Sequence, residues 1–350
     1  MKLAIVRQRY NPYGGAERFV ARALPALERS GVDTTLISRS AGGWGARRFL
    51  KVDPFHVGRL WRDWSFARAA TAAWKRAGFD LVQSHERIPG CDIYRAGDGV
   101  HRRWLELRGG LTGLSPYHRY VCAAEKAMFE HPRLRAVICN SKMVREEIRR
   151  MFRIAPEKLH VIYNGVDLEH FHPRERTRLR GAARAEIGCT PRDIVFAFVG
   201  SGFSRKGLDA AVAAVSRTPH WLIVVGNDRY HGPSGPRIRF LGGKEDVRPY
   251  YAAADCFLLP TRYDPFPNTA LEAMAMGLPA IVSSRCGAAE VVEPGVNGWV
   301  CEPDDVAGIA ALLDQVNPES MGQGARATAE RFAMDAMAKR LAELYGSLLS

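Results

Sequence analysis

Cys256-Phe-Leu-Leu-Pro-Thr261-Arg-Tyr-Asp264-Pro-Phe-Pro-Asn268-Thr-Ala-Leu-Glu272-Ala-Met-Ala-Met-Gly277-Leu-Pro-Ala280-Ile-Val282 packs two wholly apolar runs around a proline-stiffened loop and a small-residue helix. Apolar runs bounded by turn residues read as strands buried on both faces, and Gly277 and Pro279 end the helix between them. A strand, a helix and a second fully apolar strand form the unit of a parallel α/β sheet. The loop presents Asp264, and Glu272 sits about one turn into the helix. Two carboxylates eight positions apart can therefore face one ligand from different heights. The backbone amides of Phe266, Asn268 and Thr269, flanked by Pro265 and Pro267, add donors at a helix N-terminus.

The same pattern extends outward in both directions. Strands are expected at Ile194–Val199, Trp221–Val225, Arg239–Leu241 and Trp299–Cys301, with helices between them. Before the linker, Leu3–Val6, Thr34–Ile37, Leu81–Val82, Ile93–Tyr94, Ala136–Cys139 and Leu159–Ile162 read the same way. Helices there start near Gly15, Arg59, Pro116 and Ser141, the last with a serine N-cap. The pattern stops at Asn164-Gly165-Val166-Asp167, and the Arg- and Pro-rich stretch from His172 to Arg184 reads as linker. A last helix from about Glu330 carries Phe332, Met337, Leu341, Leu344 and Leu348 on one stripe. With 350 residues the chain holds two domains. The division expected is 1–168, 169–330 and a C-terminal helix, 331–350, that packs back on the first domain. The fold class is α/β, two doubly wound domains facing across a cleft.

Charge separates the halves. Up to Asp167 there are 30 Lys+Arg against 16 Asp+Glu, a net of +14; the remainder has 20 against 21, a net of −1. A basic first half suits an anionic partner: nucleic acid, a membrane surface or a phosphorylated substrate. Nucleic acid is disfavoured, because the arginines scatter over several elements and no recognition signature accompanies them. Arg47, Arg48, Lys51, Arg59, Arg62, Arg68, Lys75 and Arg76 bracket Trp61, Trp64, Phe66 and Trp74, which predicts a surface helix whose aromatics enter a membrane interface. The N-terminal apolar run of four residues is too short for a secretory signal. Seven cysteines without a CxxC pair fit neither a disulfide framework nor a zinc site, and read as reduced core residues. A cytoplasmic chain is expected.

Two glycine-rich turns follow strands. Gly14-Gly15 precedes the first helix, and Gly200-Ser-Gly-Phe-Ser-Arg205-Lys206-Gly207 follows Ile194–Val199. Neither has the spacing of a dinucleotide fingerprint or a P-loop, yet both let backbone amides approach an anion at a helix start. Arg205 and Lys206 add two cations there, suited to a diphosphate without a metal.

Together Gly14-Gly15 with Glu17, Asn164-Gly165-Val166-Asp167, Gly200–Gly207 with Arg205-Lys206, and Asp264 with Glu272 resemble the GT4 family of retaining glycosyltransferases, in which the acidic pair is the E-x7-E motif. Gly287, Glu290, Gly295, Asn297-Gly298 and Pro303 extend the likeness over nearly the whole chain. Within the family, Pro89–Asp98 and the Tyr117–Phe129 helix look like the WaaG-type lipopolysaccharide core glucosyltransferases, which carry aspartate where many GT4 members have the histidine corresponding to Asp98.

The resemblance implies the GT-B fold and transfer of a hexose, glucose first, from a UDP-sugar to an inner-core heptose with retained configuration. Another envelope polysaccharide or glycolipid, or a sugar-nucleotide epimerase, is the alternative. Arg205, Lys206 and the Gly14-Gly15 turn would hold the diphosphate, Asp264 the sugar hydroxyls, Glu272 the ribose, and Gly226-Asn227 the uracil. Asp98 joins Asp264, Arg205 and Lys206 as a catalytic candidate. No DxD triplet occurs, so no metal or other cofactor is expected. The acceptor would be a lipid-anchored, phosphorylated oligosaccharide at the cytoplasmic face of the inner membrane, where the protein would sit peripherally as a monomer.

Overall fold

The computed structural model describes residues 1–9, 24–40 and 48–349, so the Gly14-Gly15 turn lies outside the described residues. The chain divides into two compact units, Met1–Tyr163 with Asp335–Ser350, and Asn164–Met334.

The first unit is built on seven parallel strands, β1 (Lys2–Val6), β2 (Asp33–Ser38), β3 (Arg48–Lys51), β4 (Leu81–Ser84), β5 (Ile93–Ala96), β6 (Ala136–Cys139) and β7 (Leu159–Val161), in the order β3-β2-β1-β4-β5-β6-β7. Strands β4, β5 and β6 are buried at every position, polar Gln83, Ser84 and Arg95 included. Sequence periodicity missed β3, whose Arg-Phe-Leu-Lys has charged ends and lies at the sheet edge. It also missed the helix His101–Arg108, which buries no residue. The Ser141 cap forms as expected, its hydroxyl accepting from the Val144 amide at 3.2 Å.

The second unit carries six parallel strands, β8 (Val195–Val199), β9 (Trp221–Val225), β10 (Ile238–Phe240), β11 (Cys256–Leu259), β12 (Ala280–Ser283) and β13 (Gly298–Cys301), ordered β10-β9-β8-β11-β12-β13. The helix Asn268–Ala275 between β11 and β12 is buried from Thr269 to Ala275, so its small side chains are a packing requirement. Both units are Rossmann-like, and the fold is GT-B.

The structure corrects several expectations. The stretch read as linker is a helix, Pro173–Ile187. Its Arg176, Arg180 and Arg184 reach the end of the Arg248–Ala253 helix: Arg180 Nη1 donates to the Ala252 and Ala254 carbonyls at 2.9 Å, and Arg184 Nη2 to Asp255 Oδ2 at 2.6 Å. The arginines are thus the C-cap of a neighbouring helix and the partners of a buried carboxylate. Second, the division falls at Asn164 rather than after 168, because Asn164 Nδ2 donates to Phe266 O at 3.0 Å and Asn268 Oδ1 at 2.6 Å. The last helix begins at Met334, not Glu330, since Val166 first forms a bridge with Ala333. From Asp335 on, the chain belongs to the first unit, where Met337, Leu341 and Leu344 are buried and Tyr345 Oη donates to Gln83 Oε1 at 2.7 Å. Third, in the helix Gly58–Ala77 only two of the four aromatics face out: Trp61 and Trp64 are exposed, while Phe66 and Trp74 belong to the core. Among the described residues, no helix is long and apolar enough to cross a membrane.

Candidate active site

Each sheet reverses its strand order beside its first strand, between β1 and β4 and between β8 and β11. In a parallel α/β sheet the loops leaving such neighbouring strands diverge and open a crevice at their carboxyl ends. The residues that carry charge gather there.

In the second unit the loop after β8 contains Gly200–Gly207 and the loop after β11 contains Pro260–Pro267. Hydrogen bonds join them: the Arg205 carbonyl accepts from Thr261 Oγ1 at 3.0 Å and from the Arg262 amide at 2.8 Å. Gly207 has φ +75, and a Cβ there would overlap the Pro260 carbonyl, so only glycine lets the loops approach. Gly200, at φ +144, gives room to Lys206, whose Nζ would be 2.8 Å from a Cβ on Gly200. Lys206 folds across it to Asp264, with Nζ–Oδ2 3.2 Å and both side chains buried. Arg205 Nη1 stands 3.8 Å from the same oxygen and donates to the Tyr263 carbonyl at 2.8 Å. The backbone of Asp264 is held by the Arg285 carbonyl and the Gly287 amide, at 3.2 and 2.9 Å.

Glu272 is buried on the adjoining helix, where Tyr251 Oη donates to its Oε2 at 3.3 Å and to the Thr269 carbonyl at 3.2 Å. That helix has no side-chain cap at its N-terminus, Pro267 occupying the cap position. Thr269 Oγ1 is buried without a hydrogen-bond partner, an unmet polar group that a ligand hydroxyl or phosphate would satisfy. Gly226 and Asn227 lie on the loop after β9; the Gly226 amide donates to the Gly242 carbonyl at 3.0 Å, and the Asn227 amide to Ser201 Oγ at 3.3 Å.

Asp228 and Tyr251 were not singled out from sequence, and Asn164 only as part of the Asn164-Gly165-Val166-Asp167 motif. The Asp228 carboxylate accepts from the Gly202 and Phe203 amides. Those amides are therefore occupied within the protein. The structure brings Arg205, Lys206, Asp264, Phe266, Pro267, Asn268, Thr269, Glu272, Gly226 and Asn227 into one unit at one sheet edge.

Asp98 belongs to the first unit, beyond β5, and lines a cavity of about 270 Å³ with Arg7, Glu86, Asp63, His101 and Tyr117. Arg7 Nη1 lies 3.1 Å from Asp98 and 3.6 Å from Glu86. Although desolvation favours the protonated acid, the charges of Arg7 and Arg87 outweigh it and hold the Asp98 carboxyl below its ordinary range. Arg87 is fixed in turn: its Nε meets Glu125 Oε1 at 2.9 Å and its Nη2 the Gly99 carbonyl at 3.1 Å. Glu125, fully buried, also accepts from the His101 and Arg102 amides at 2.8 and 3.1 Å, capping the helix that follows Asp98. His101 Nε2 and His118 Nδ1 are 2.9 Å apart. Burial first, then the Arg87 and His118 charges, push His101 down to about 4, so it is neutral at neutral pH. Arg87 and His101 stand in no motif, and His118 and Glu125 lie on the Tyr117–Phe129 helix, which the sequence analysis picked out as a stretch without giving either residue a role.

Among the described residues, no group of three His, Cys, Asp or Glu is placed to hold a metal ion.

Comparison with known proteins places the chain in a family. Residues 13–170 match the model of Glycosyltransferase Family 4, and residues 193–316 that of Glycosyl transferases group 1. A probable transglycosylase of Burkholderia thailandensis is 27% identical over 86% of this chain and 82% of its own length. Lipopolysaccharide glucosyltransferase WaaG of Escherichia coli is 24% identical over 86% of this chain and 85% of its own. Among solved structures, WaaG superposes with a TM-score of 0.83 at 21% identity, covering 98% of this chain and 99% of that one. Anabaena HepE, in complex with UDP-glucose, superposes at 0.78 with 20% identity, covering 99% and 100%. With a family model on each half and relatives of this kind along its length, the chain belongs to the glycosyltransferases of the GT4 kind, close to WaaG and the lipopolysaccharide core enzymes.

Proposed function

We propose that this enzyme moves a hexose, glucose first, from a UDP-sugar to a heptose hydroxyl of the lipopolysaccharide inner core with retention of configuration. The observation that carries the donor half of this reading is the buried Lys206–Asp264 pair with Arg205 beside it, set where the second sheet reverses its order. Breaking the glycosidic bond leaves negative charge on the diphosphate and positive charge on the sugar ring. Two preorganised cations stabilise the first, and a carboxylate nearby suits the second. An ammonium has three donors, so Lys206 can keep Asp264 and still take a phosphate oxygen. Asp264 then meets sugar hydroxyls, and Glu272, one helical turn on, the ribose. The UDP-glucose held by HepE supports the choice of donor. With two cations at the diphosphate, the reaction proceeds without a metal.

The acceptor half rests on the first unit. Its cavity mixes arginines with three carboxylates and Tyr117, a set suited to a hydroxylated, phosphorylated sugar. Trp61 and Trp64, exposed among arginines, suit a peripheral position on an anionic membrane surface.

A thermal-shift panel with UDP-glucose, UDP-galactose, UDP-GlcNAc, UDP-GalNAc and GDP-mannose tests the donor, because a ligand that binds only the folded state raises its melting temperature. UDP-glucose is expected to give the largest shift, several degrees at saturation given roughly 2–4 °C per kcal/mol for domains of this size, and EDTA to leave it unchanged. A shift with GDP-mannose alone, or one that needs added Mg²⁺ or Mn²⁺, would overturn the reading.

A further inference from the structure

The loop that carries Arg205 and Lys206 is held by a residue to which the donor reading gives no part. Arg262 follows Thr261 in the loop after β11 and reaches the 200–207 loop twice within the second unit. Its amide donates to the Arg205 carbonyl at 2.8 Å, and its Nη1 to the Ser204 carbonyl at 2.9 Å. One arginine thus holds the carbonyls of two successive residues.

The guanidinium is itself anchored. Its Nε and Nη2 converge on Asp304 Oδ1, at 3.0 and 2.9 Å. Asp304 lies past β13, where the next residue, Asp305, caps the helix Val306–Leu313 by accepting from the Gly308 amide at 2.9 Å. The cap is therefore met without Asp304, whose carboxylate serves Arg262. Because a guanidinium is planar, fixing Nε and Nη2 also fixes the direction of Nη1. Asp304 aims the donor that meets Ser204.

We infer that Arg262, aimed by Asp304, is a positioning residue for the diphosphate cations: it fixes the Ser204-Arg205 backbone, from which the Arg205 side chain projects, and does not touch the ligand. The inference rests on the donor reading above and adds how its cations are preorganised. Arg205 depends on this support more than Lys206 does. Lys206 is buried and pairs with Asp264 at 3.2 Å, whereas the Arg205 side chain is partly exposed and stands 3.8 Å from that carboxylate. A cation already in place binds its anion more tightly, since less order has to be imposed on binding.

Charge alone predicts the opposite sign at Asp304. UDP is an anion, so removing a nearby carboxylate should strengthen its binding by simple electrostatics. Removing the group that aims Arg262 should weaken it.

Calorimetric titration of UDP against Asp304→Ala, Arg262→Ala, Arg205→Ala and the Arg205→Ala/Arg262→Ala double variant tests the inference, with a melting temperature recorded for each protein. Asp304→Ala should weaken UDP by about threefold or more and Arg262→Ala by about fivefold or more, because order lost at the loop must be restored on binding. Both side chains are partly exposed, so melting temperatures should stay within a few degrees of the parent. In the Arg205→Ala background, losing Arg262 should cost less than about twofold more, since a residue that acts through Arg205 has nothing left to position. An Asp304→Ala protein that binds UDP as well as the parent or better, or losses at Arg205 and Arg262 that simply multiply, would overturn the positioning role and leave the donor reading standing. A parent protein that binds no UDP would overturn the donor reading and the positioning role with it.

Discussion

The two sheet reversals have the same topology and opposite construction. In the second unit nearly every group at the reversal comes from two short stretches, residues 200–207 and 260–272, and glycines decide how close the loops come. In the first, the cavity draws on separated segments, Arg7, Asp63, Glu86, Asp98, His101 and Tyr117, tied by Arg87 and Glu125. The compact site suits a rigid, charged ligand that must be gripped at its diphosphate. The distributed site, with half-exposed Asp98 paired to Arg7, suits a larger and more variable partner. A compact site should fail sharply on one substitution, whereas a distributed one should fail gradually with pH.

The sharpest expected failure is at Lys206. Lys206→Met keeps the bulk that crosses Gly200 but leaves the buried Asp264 carboxylate with Arg205 alone, 3.8 Å away. Removing one partner of a buried ion pair costs about 3–5 kcal/mol. Chemical denaturation should show a loss in that range, and UDP affinity should fall at least tenfold, since charge-assisted hydrogen bonds contribute about 1.5–3 kcal/mol each. Full stability with weakened UDP binding would mean that Lys206 serves the ligand and not the loop, and the claim of a self-supporting site would break.

The gradual failure is a pH effect in the first unit. His101 titrates near 6.5 in the unfolded chain and at about 4 in the fold. Between those values the unfolded chain takes up a proton that the folded protein refuses, so stability falls as pH drops from 6.5 to 4 and this contribution is constant below that. The slope is at most about 1.4 kcal/mol per pH unit for each such group. His85 adds to it, its own value pushed far down by burial and then by Arg95 and Arg7. Asp98 behaves as a depressed carboxyl: its contribution is intact above about pH 4 and lost below. His101→Gln should flatten the stability curve between pH 6.5 and 4. An unchanged curve would take His101 out of the network.

The same contrast explains what could be read from sequence. Arg205, Lys206, Asp264 and Glu272 lie in continuous stretches whose strand, loop and helix follow from local pattern, so their assembly was legible. The first-unit network was not, because Glu125, Arg87 and His101 meet only after β4, β5 and two helices have packed. Glu125 on an amphipathic helix reads as a surface residue until the His101 amide and Arg87 are found on it. The linker was misread for a related reason: the Pro173–Ile187 arginines look solvated in isolation, and only Asp255 and the 252–254 carbonyls give them a helix to cap. Charge patterning showed that the first half is basic without showing that Phe66 and Trp74 are core residues while Trp61 and Trp64 face outward.

The central claim is that the second unit grips a UDP-sugar with separate roles for its two carboxylates, and calorimetric titration of UDP and UDP-glucose against two variants tests it most directly. Asp264→Asn removes the carboxylate assigned to the sugar but leaves Lys206 and Arg205 for the diphosphate. UDP should therefore bind as well as to the parent, while UDP-glucose loses about tenfold, roughly 1.4 kcal/mol. Glu272→Gln, at the position assigned to the ribose, should weaken both ligands alike. Equal loss of UDP and UDP-glucose in Asp264→Asn, with Glu272→Gln leaving UDP untouched, would contradict the account.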